Sequence, residues 1–172
     1  MKKYIVIYNK NSRGKTYSKQ DLEMIFSSHD LDSKIFVTNE IKQVDKIVKN
    51  FKNSKDYVYC AIGGDGTLNS LINALLGNNI NNPEVACIAS GSGSDFMRTF
   101  AMPVDIHQAI SRIKNNQNYS IDASFVESKT KSRYFINVLN YGFLAETVNL
   151  SEKLPNIFKR FRYPISFWLK LF

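Results

Sequence analysis

No apolar stretch in the sequence approaches the roughly 20 residues that a membrane-crossing helix needs. The start, Met1-Lys2-Lys3-Tyr4-Ile5-Val6-Ile7-Tyr8-Asn9, turns polar again too soon for a secretory signal. Both absences point to a cytoplasmic protein. Cysteine is scarce as well. Cys60 and Cys87 each lie in an apolar run that reads as a central strand, where a thiol acts as a small hydrophobe, so neither a disulfide nor a cysteine metal site is expected. The two histidines, His29 and His107, sit in no motif and read as surface residues. Internal repeats, a heptad seam and low-complexity tracts are all missing, which excludes solenoids, coiled coils and biased-composition segments.

What is present fits one ordinary domain, or one domain and part of another: 172 residues, 44% apolar and 22% charged. The net charge of +8 suits nucleic acid, an anionic membrane surface or phosphorylated ligands, and charge alone does not choose among them. The basic residues form no stripe with a known reading motif, so nucleic acid is not expected as a partner. Their one local concentration is Lys159, Arg160 and Arg162, set among Phe158, Phe161, Tyr163, Phe167, Trp168, Leu169, Leu171 and Phe172.

Four apolar runs, residues 4–8, 34–38, 57–62 and 85–89, are rich in strand formers, too short for helices, and read as buried parallel strands. Between the first two, Ser18-Lys19-Gln20-Asp21 resembles a capping signal, followed by Leu22, Ile25 and Phe26 at helical spacing. Ile41, Val44, Ile47, Val48 and Phe51 repeat that spacing before the third run. A helix over about residues 67–76 carries Leu68, Leu71, Ile72 and Leu75 and is expected to stop at Gly77. Ile106, Ala109, Ile110 and Ile113 suggest another helix after Pro103. This alternation predicts a three-layer, Rossmann-like α/β domain over residues 1–118. From residue 119 the pattern changes to Ile121, Ala123 and Phe125 in alternation, a polar turn at residues 129–132, and a run over residues 134–139. Residues 119–172 therefore read as the start of an antiparallel β-rich domain, about three strands, with an interrupted helix at the end.

In an open parallel sheet, ligands bind beyond the carboxyl ends of the strands. Three loops there draw attention: Asn9-Lys10-Asn11-Ser12-Arg13-Gly14-Lys15, Gly63-Gly64-Asp65-Gly66-Thr67-Leu68-Asn69, and Ser90-Gly91-Ser92-Gly93-Ser94-Asp95. Thr38 adds a hydroxyl at the end of the second strand. Glycines let backbone N–H groups approach a phosphate without Cβ atoms in the way, and a following helix start favours negative charge. Asp65 in such a turn bridges to a phosphate through Mg²⁺, accepts a proton, or holds the turn by accepting backbone N–H bonds. Asp95 raises the same question, and two carboxylates at one phosphate cradle suggest metal-assisted phosphoryl transfer. Plainer readings stand beside these. Gly-Gly-Asp-Gly also makes a tight turn, the loop at residues 90–95 also serves as a connection with an Asp N-cap, and Lys10, Arg13 and Lys15 also serve as solvated charges. Asp122 reads on its own as a strand-edge or solvent-facing carboxylate.

The turn over residues 63–69 resembles the central nucleotide motif of the diacylglycerol kinase catalytic domain family, which includes bacterial lipid kinases and sphingosine and ceramide kinases. Gly91-Ser92-Gly93-Ser94-Asp95-Phe96-Met97-Arg98 is similar to that family's second loop, with Ser94 at a usual Asn and Met97 at a usual Ala. Residues 9–14 resemble its first loop, with Lys10 at a usual Pro and Arg13 at a usual Gly. Ile121-Asp122, Tyr134-Phe135-Ile136-Asn137 and Tyr141-Gly142-Phe143 resemble the first strands of its second, β-sandwich domain.

The resemblance implies ATP contacts from Asn9, Lys10, Asn11, Ser12, Arg13, Thr38, Gly63, Gly64, Asp65, Gly66, Thr67, Leu68, Asn69, Ser70, Gly91 and Ser92. It implies an acidic, Mg²⁺-linked network of Asp65, Asp95 and Asp122, with no direct metal ligand assigned and Asp65 as the catalytic candidate. The family's base and much of its lipid-facing wall are expected beyond Phe172. The implied reaction is attack of a lipid hydroxyl, that of diacylglycerol, on the γ-phosphate of Mg²⁺-ATP to give phosphatidate. A basic, aromatic surface suits peripheral contact with an anionic membrane at the inner leaflet, and a homodimer stays open. Two alternatives are an NAD kinase, which shares the fold and the glycine turn, and a non-catalytic nucleotide-binding fragment or regulator.

Overall fold

The computed structural model describes residues 2–12, 14–51, 56–90, 94–115, 117–140, 142–158 and 161–171. It separates into two compact units, Met1–Ile136 and Asn137–Phe172.

The first unit is built on a four-stranded, all-parallel sheet: β1 (Lys3–Asn9), β2 (Asp32–Thr38), β3 (Tyr57–Gly63) and β4 (Glu84–Ala89), in the order β2-β1-β3-β4. The apolar runs form strands because both faces are covered, so every second residue is wanted on each side. Tyr4, Val6 and Tyr8 with Val58, Cys60 and Ile62 enter one core, where α1 (Lys19–Ser28) and α5 (Ile106–Lys114) add Leu22, Phe26, Ile106, Ala109 and Ile110. Ile5, Ile7, Tyr59 and Ala61 face the other core. There α2 (Ile41–Phe51), α3 (Asp65–Gly77) and α4 (Asp95–Thr99) supply Val44, Val48, Leu68, Leu71, Leu75, Phe96 and Met97.

The capping box at the start of α1 is real: Ser18 accepts from the Asp21 amide at 3.0 Å, and Asp21 accepts from the Ser18 amide at 2.9 Å. Gly77, expected as the stop of the third helix, is instead its last residue. The left-handed position falls on Asn79, φ 58°, with the Ile80 amide returning to the Leu75 carbonyl at 3.0 Å. Both cysteines are free. Cys60 is in central β3, but Cys87 is on β4, an edge strand, because the lateral order places nothing beyond it in this sheet. Burial pushes the Cys60 thiol well above its ordinary range, and burial with the nearby Asp65 pushes Cys87 up to about 11.

An antiparallel hairpin, β5 (Ser124–Glu127) and β6 (Ser132–Phe135), closes this unit, with Phe125 opposite Tyr134 and a Ser128 to Lys131 turn. Tyr134 and Ile136 pack against the second core. The second unit contains no strand among its described residues. It has α6 (Phe143–Lys153), a short 3₁₀ turn (Asn156–Phe158) and α7 (Arg162–Leu171). The expected run through residue 139 thus ends at Phe135, and the third strand expected near Phe143 is the start of α6, behind Gly142 at φ 63°. The β5–β6 register runs out at Phe135, opposite Ser124, and helical spacing takes over beyond Gly142. Among the described residues, no helix is long and apolar enough to cross a membrane.

Candidate functional site: a phosphate turn at the sheet switch point

From β1 the chain moves outward to β2, then returns to place β3 on the other side of β1. A crevice opens at such a reversal, beyond the carboxyl ends of the two strands. The loops that leave β1 and β3 flank it. They touch directly, since Asn9 Nδ2 donates to Thr67 Oγ1 at 3.1 Å.

Gly63 ends β3 under a close contact that no other residue tolerates. A Cβ there would lie 2.3 Å from Thr67 Oγ1 and 2.7 Å from Thr67 Cβ. Thr67 is buried against that glycine, which fixes how the strand turns into α3. Gly64 is the N-cap in an extended conformation and offers no side-chain cap, so the first amides of α3, at Asp65 and Gly66, have no intrahelical carbonyl to bond. Gly66 is exposed, and a Cβ on it would meet nothing within 4 Å. The helix start therefore presents uncapped N–H groups and a positive dipole end toward open space, the arrangement an anionic oxygen fits.

The first loop is folded around Asn9. Its Oδ1 accepts from the Asn11 amide at 3.0 Å, and its carbonyl accepts from the Ser12 amide at 3.1 Å. The Lys10 amide donates to the Thr38 carbonyl at 3.1 Å, and Asn11 Nδ2 to the Asn39 carbonyl at 3.1 Å, which ties the loop to the end of β2. Lys10 and Asn11 are exposed and Ser12 half-buried. The Ser12 hydroxyl meets the hydroxyl of Ser90, just past β4, at 3.0 Å. Tyr8, fully buried, holds the far side of the loop by accepting from the Tyr17 amide at 3.0 Å. The three loops thus come together on one sheet edge, as the strand pattern predicts.

Asp65 accepts backbone N–H bonds, though from α4 rather than from its own turn. Its two carboxylate oxygens accept from the amides of Asp95 at 2.9 Å and Phe96 at 3.2 Å, so it caps the short helix α4 from across the crevice. Asp95 pairs with Arg98 Nη1 at 2.8 Å. Asp122 is exposed in the segment before β5. Among the described residues, no group of three or more His, Cys, Asp or Glu side chains is gathered to hold a metal ion. The donor set therefore does not form a resident metal cage. A cation that arrives on nucleotide phosphates needs only one or two carboxylates.

Other candidates point elsewhere. Thr38 is buried, its hydroxyl donating to the Tyr8 carbonyl at 3.3 Å. Leu68 is in the core, and Ser70 is buried with its hydroxyl on the Gly66 carbonyl at 2.7 Å. Asn69 turns toward β6. Arg13, Gly91 and Ser92 lie outside the described residues. Sequence reasoning missed the contact between His29 Nε2 and His107 Nδ1, 3.1 Å, because the two come from distant helices of no shared motif. A cavity of about 210 Å³ lies beside β4, lined by Val85, Cys87, Phe96, Phe100, Arg112 and Tyr119 among others. It includes no residue of the first loop or the glycine turn.

The sequence model of the diacylglycerol kinase catalytic domain matches residues 3–126. A diacylglycerol kinase of Staphylococcus saprophyticus is 29% identical over 171 residues, covering 97% of this chain and 53% of that relative. One from Staphylococcus haemolyticus is 32% identical over 119 residues, 69% of this chain and 34% of the relative. A crystal structure of a diacylglycerol kinase from Bacillus anthracis superposes with a TM-score of 0.56 at 26% identity, covering 71% of this chain and 42% of that one. The chain spans about half the length of the full-length curated relative from Staphylococcus saprophyticus.

Proposed function

The chain belongs to the diacylglycerol kinase catalytic domain family, and from that premise we propose that it forms the nucleotide-binding half of an ATP-dependent lipid kinase. The observation that carries this reading is the uncapped start of α3 at the switch point, bordered by the Asn9–Thr67 and Ser12–Ser90 contacts. In this reading the ATP phosphates lie over the amides of Asp65 and Gly66, where the helix end offsets their charge and Gly66 leaves them room. Asn9 and Ser12 border the phosphates from the first loop, and the family resemblance adds Gly91 and Ser92 as ATP contacts. Asp65 keeps the third loop in place by holding α4, and Asp95 at the rim takes the cation that ATP brings. Mg²⁺ bound with the nucleotide would supply charge neutralisation for transfer of the γ-phosphoryl group to the acceptor, leaving ADP. The acceptor is the hydroxyl of a diacylglycerol-like lipid. Domain division follows the same reading, with residues 1–118 as the ATP domain and the hairpin opening a second one.

The lipid end of the reaction takes place at a membrane surface. The exposed Tyr163, Trp168, Leu169 and Leu171 of α7, beside Arg162 and Lys170, suit peripheral contact with anionic headgroups. The test uses the 172-residue chain with labelled ATP, Mg²⁺ and diacylglycerol in mixed micelles. Phosphatidate formation, abolished without lipid, supports the kinase reading. A rise in melting temperature with ATP but no phosphatidate leaves a nucleotide-binding module. NADP formed from NAD replaces the lipid reading outright.

A further inference from the structure

The helix that begins at the phosphate turn carries Asp65, Asn69 and Asn73 at four-residue steps, so they lie along one slanting face. Each reaches the backbone of a distant segment. Asp65 accepts from the amides at the start of α4. Asn73 bonds residue 134 in both directions: its Nδ2 donates to the Tyr134 carbonyl at 2.8 Å, and its Oδ1 accepts from the Tyr134 amide at 2.9 Å. Its Nδ2 also donates to the Asn69 carbonyl at 2.8 Å. In the amide orientation that satisfies both ends, Asn69 donates to the Tyr134 carbonyl at 3.1 Å and accepts from Arg133 Nη2 at 3.2 Å.

One side-chain amide thus gives Tyr134 what a neighbouring strand gives, an acceptor and a donor at the same residue. The hairpin needs this. Its strands are four residues each, and a two-stranded hairpin is marginal by itself, so what it docks on sets its position. From Asp65 to Asn73 the helix is a hydrogen-bonded rod of roughly 12 Å, at 1.5 Å per residue. Its start is the phosphate turn and its far contact is Tyr134.

We infer that Asn73 is a positioning residue that couples the β5–β6 hairpin to the phosphate turn, so that a polyphosphate seated on the start of α3 is felt at Tyr134. The inference rests on the nucleotide reading above. The ligand class is an anionic di- or triphosphate, and the response reaches the hairpin through the two asparagines that α3 carries.

Residue-resolved amide hydrogen exchange on the whole chain tests it, with ATP and Mg²⁺ as the probe. Without nucleotide, Asn73→Leu is expected to speed exchange at the Tyr134 amide at least tenfold while the amides of β1 and β3 keep their protection. Asn73→Asp retains the acceptor but loses the donor, and gives a smaller rise. It also serves if the leucine variant loses protection throughout. With ATP, the native chain slows exchange at both Gly66 and Tyr134, whereas Asn73→Leu slows it at Gly66 alone. Unchanged Tyr134 exchange in both variants overturns the clamp. Protection at Gly66 with no response at Tyr134 in the native chain overturns the coupling and leaves nucleotide binding intact. A lack of response at both amides overturns the nucleotide reading on which the inference rests.

Discussion

The two units of the chain treat apolar residues in opposite ways. In Met1–Ile136 the largest side chains of the strands and helices, among them Tyr8, Phe26, Ile7, Leu71 and Ile88, are almost fully withdrawn from solvent on both faces of the sheet. Among the described residues of Asn137–Phe172 the buried side chains are polar, Thr147, Ser151 and Ser166, while Leu144, Tyr163, Trp168 and Leu169 are each more than half exposed. The difference teaches that the first unit is stabilised by burial on both faces of its sheet, whereas the helical unit leaves large apolar side chains in solvent.

The comparison breaks most sharply at the cores. Leu71→Ala, in the second core, is expected to destabilise the chain by about 2–5 kcal/mol in thermal or denaturant unfolding, since it removes buried methylenes and leaves a cavity. Leu169→Ala should stay within about 0.5 kcal/mol, as surface changes do. Equal losses in the two variants would show that α7 is packed in solution. Next in size is a pair at the turn. Gly63→Ala forces a Cβ into Thr67 and should cost about 1–3 kcal/mol by overpacking. Gly66→Ala should leave the melting temperature unchanged or slightly higher while weakening ATP binding, because its Cβ enters only the open space assigned to phosphate.

Acid separates the units less strongly. Backbone and side-chain bonds from Ser18 hold Asp21 below its usual range, and hydrogen bonds from Lys49 and then Asn78 do the same for Asp45. The bond from Lys170 lowers Glu146 in the helical unit. A carboxylate whose folded pKa is depressed contributes stability fully present above its unfolded pKa and lost as pH falls through the folded one. Circular dichroism should therefore show loss setting in below about pH 4 in both units. High salt should weaken the exposed Glu146–Lys170 link, while the uncharged-donor bonds at Asp21 persist. The smallest effect is Ser166→Ala. The Ser166 hydroxyl is buried without a hydrogen-bond partner, so its removal should hold or slightly raise the stability of α7, read by local amide exchange.

Much of the first unit was legible because its rules are local. Short apolar runs rich in strand formers announced four strands, and Ser18 with Asp21 announced a capping box that the structure contains. The glycine turn was legible because close approach at Gly63 admits no other residue. Less was legible wherever a side chain chooses among distant backbone partners. Asp65 had three chemically sound roles within its own turn, and the bonds it makes, to the amides that open α4, depend on a distant segment that no local pattern names. Asn69 reads as a nucleotide contact until the hairpin supplies Tyr134. Leu68 and Ser70 fall inside a motif associated with ligands, yet helical spacing sends both inward. Phe143 was grouped with a strand by resemblance, whereas it opens α6; an aromatic residue suits either element, and no side-chain cap marks this helix start.

The contact between Ser12 and Ser90 has a property that none of the other loop contacts shares. Either hydroxyl can be the donor across its 3.0 Å, so the polarity of the pair can reverse by rotation of the two hydroxyl hydrogens. A rotor of this kind adapts its dipole to whatever charge comes near without any heavy atom moving. Between loops otherwise pinned by one-way amide bonds, it is a point of electrical compliance, soft in orientation and rigid in position.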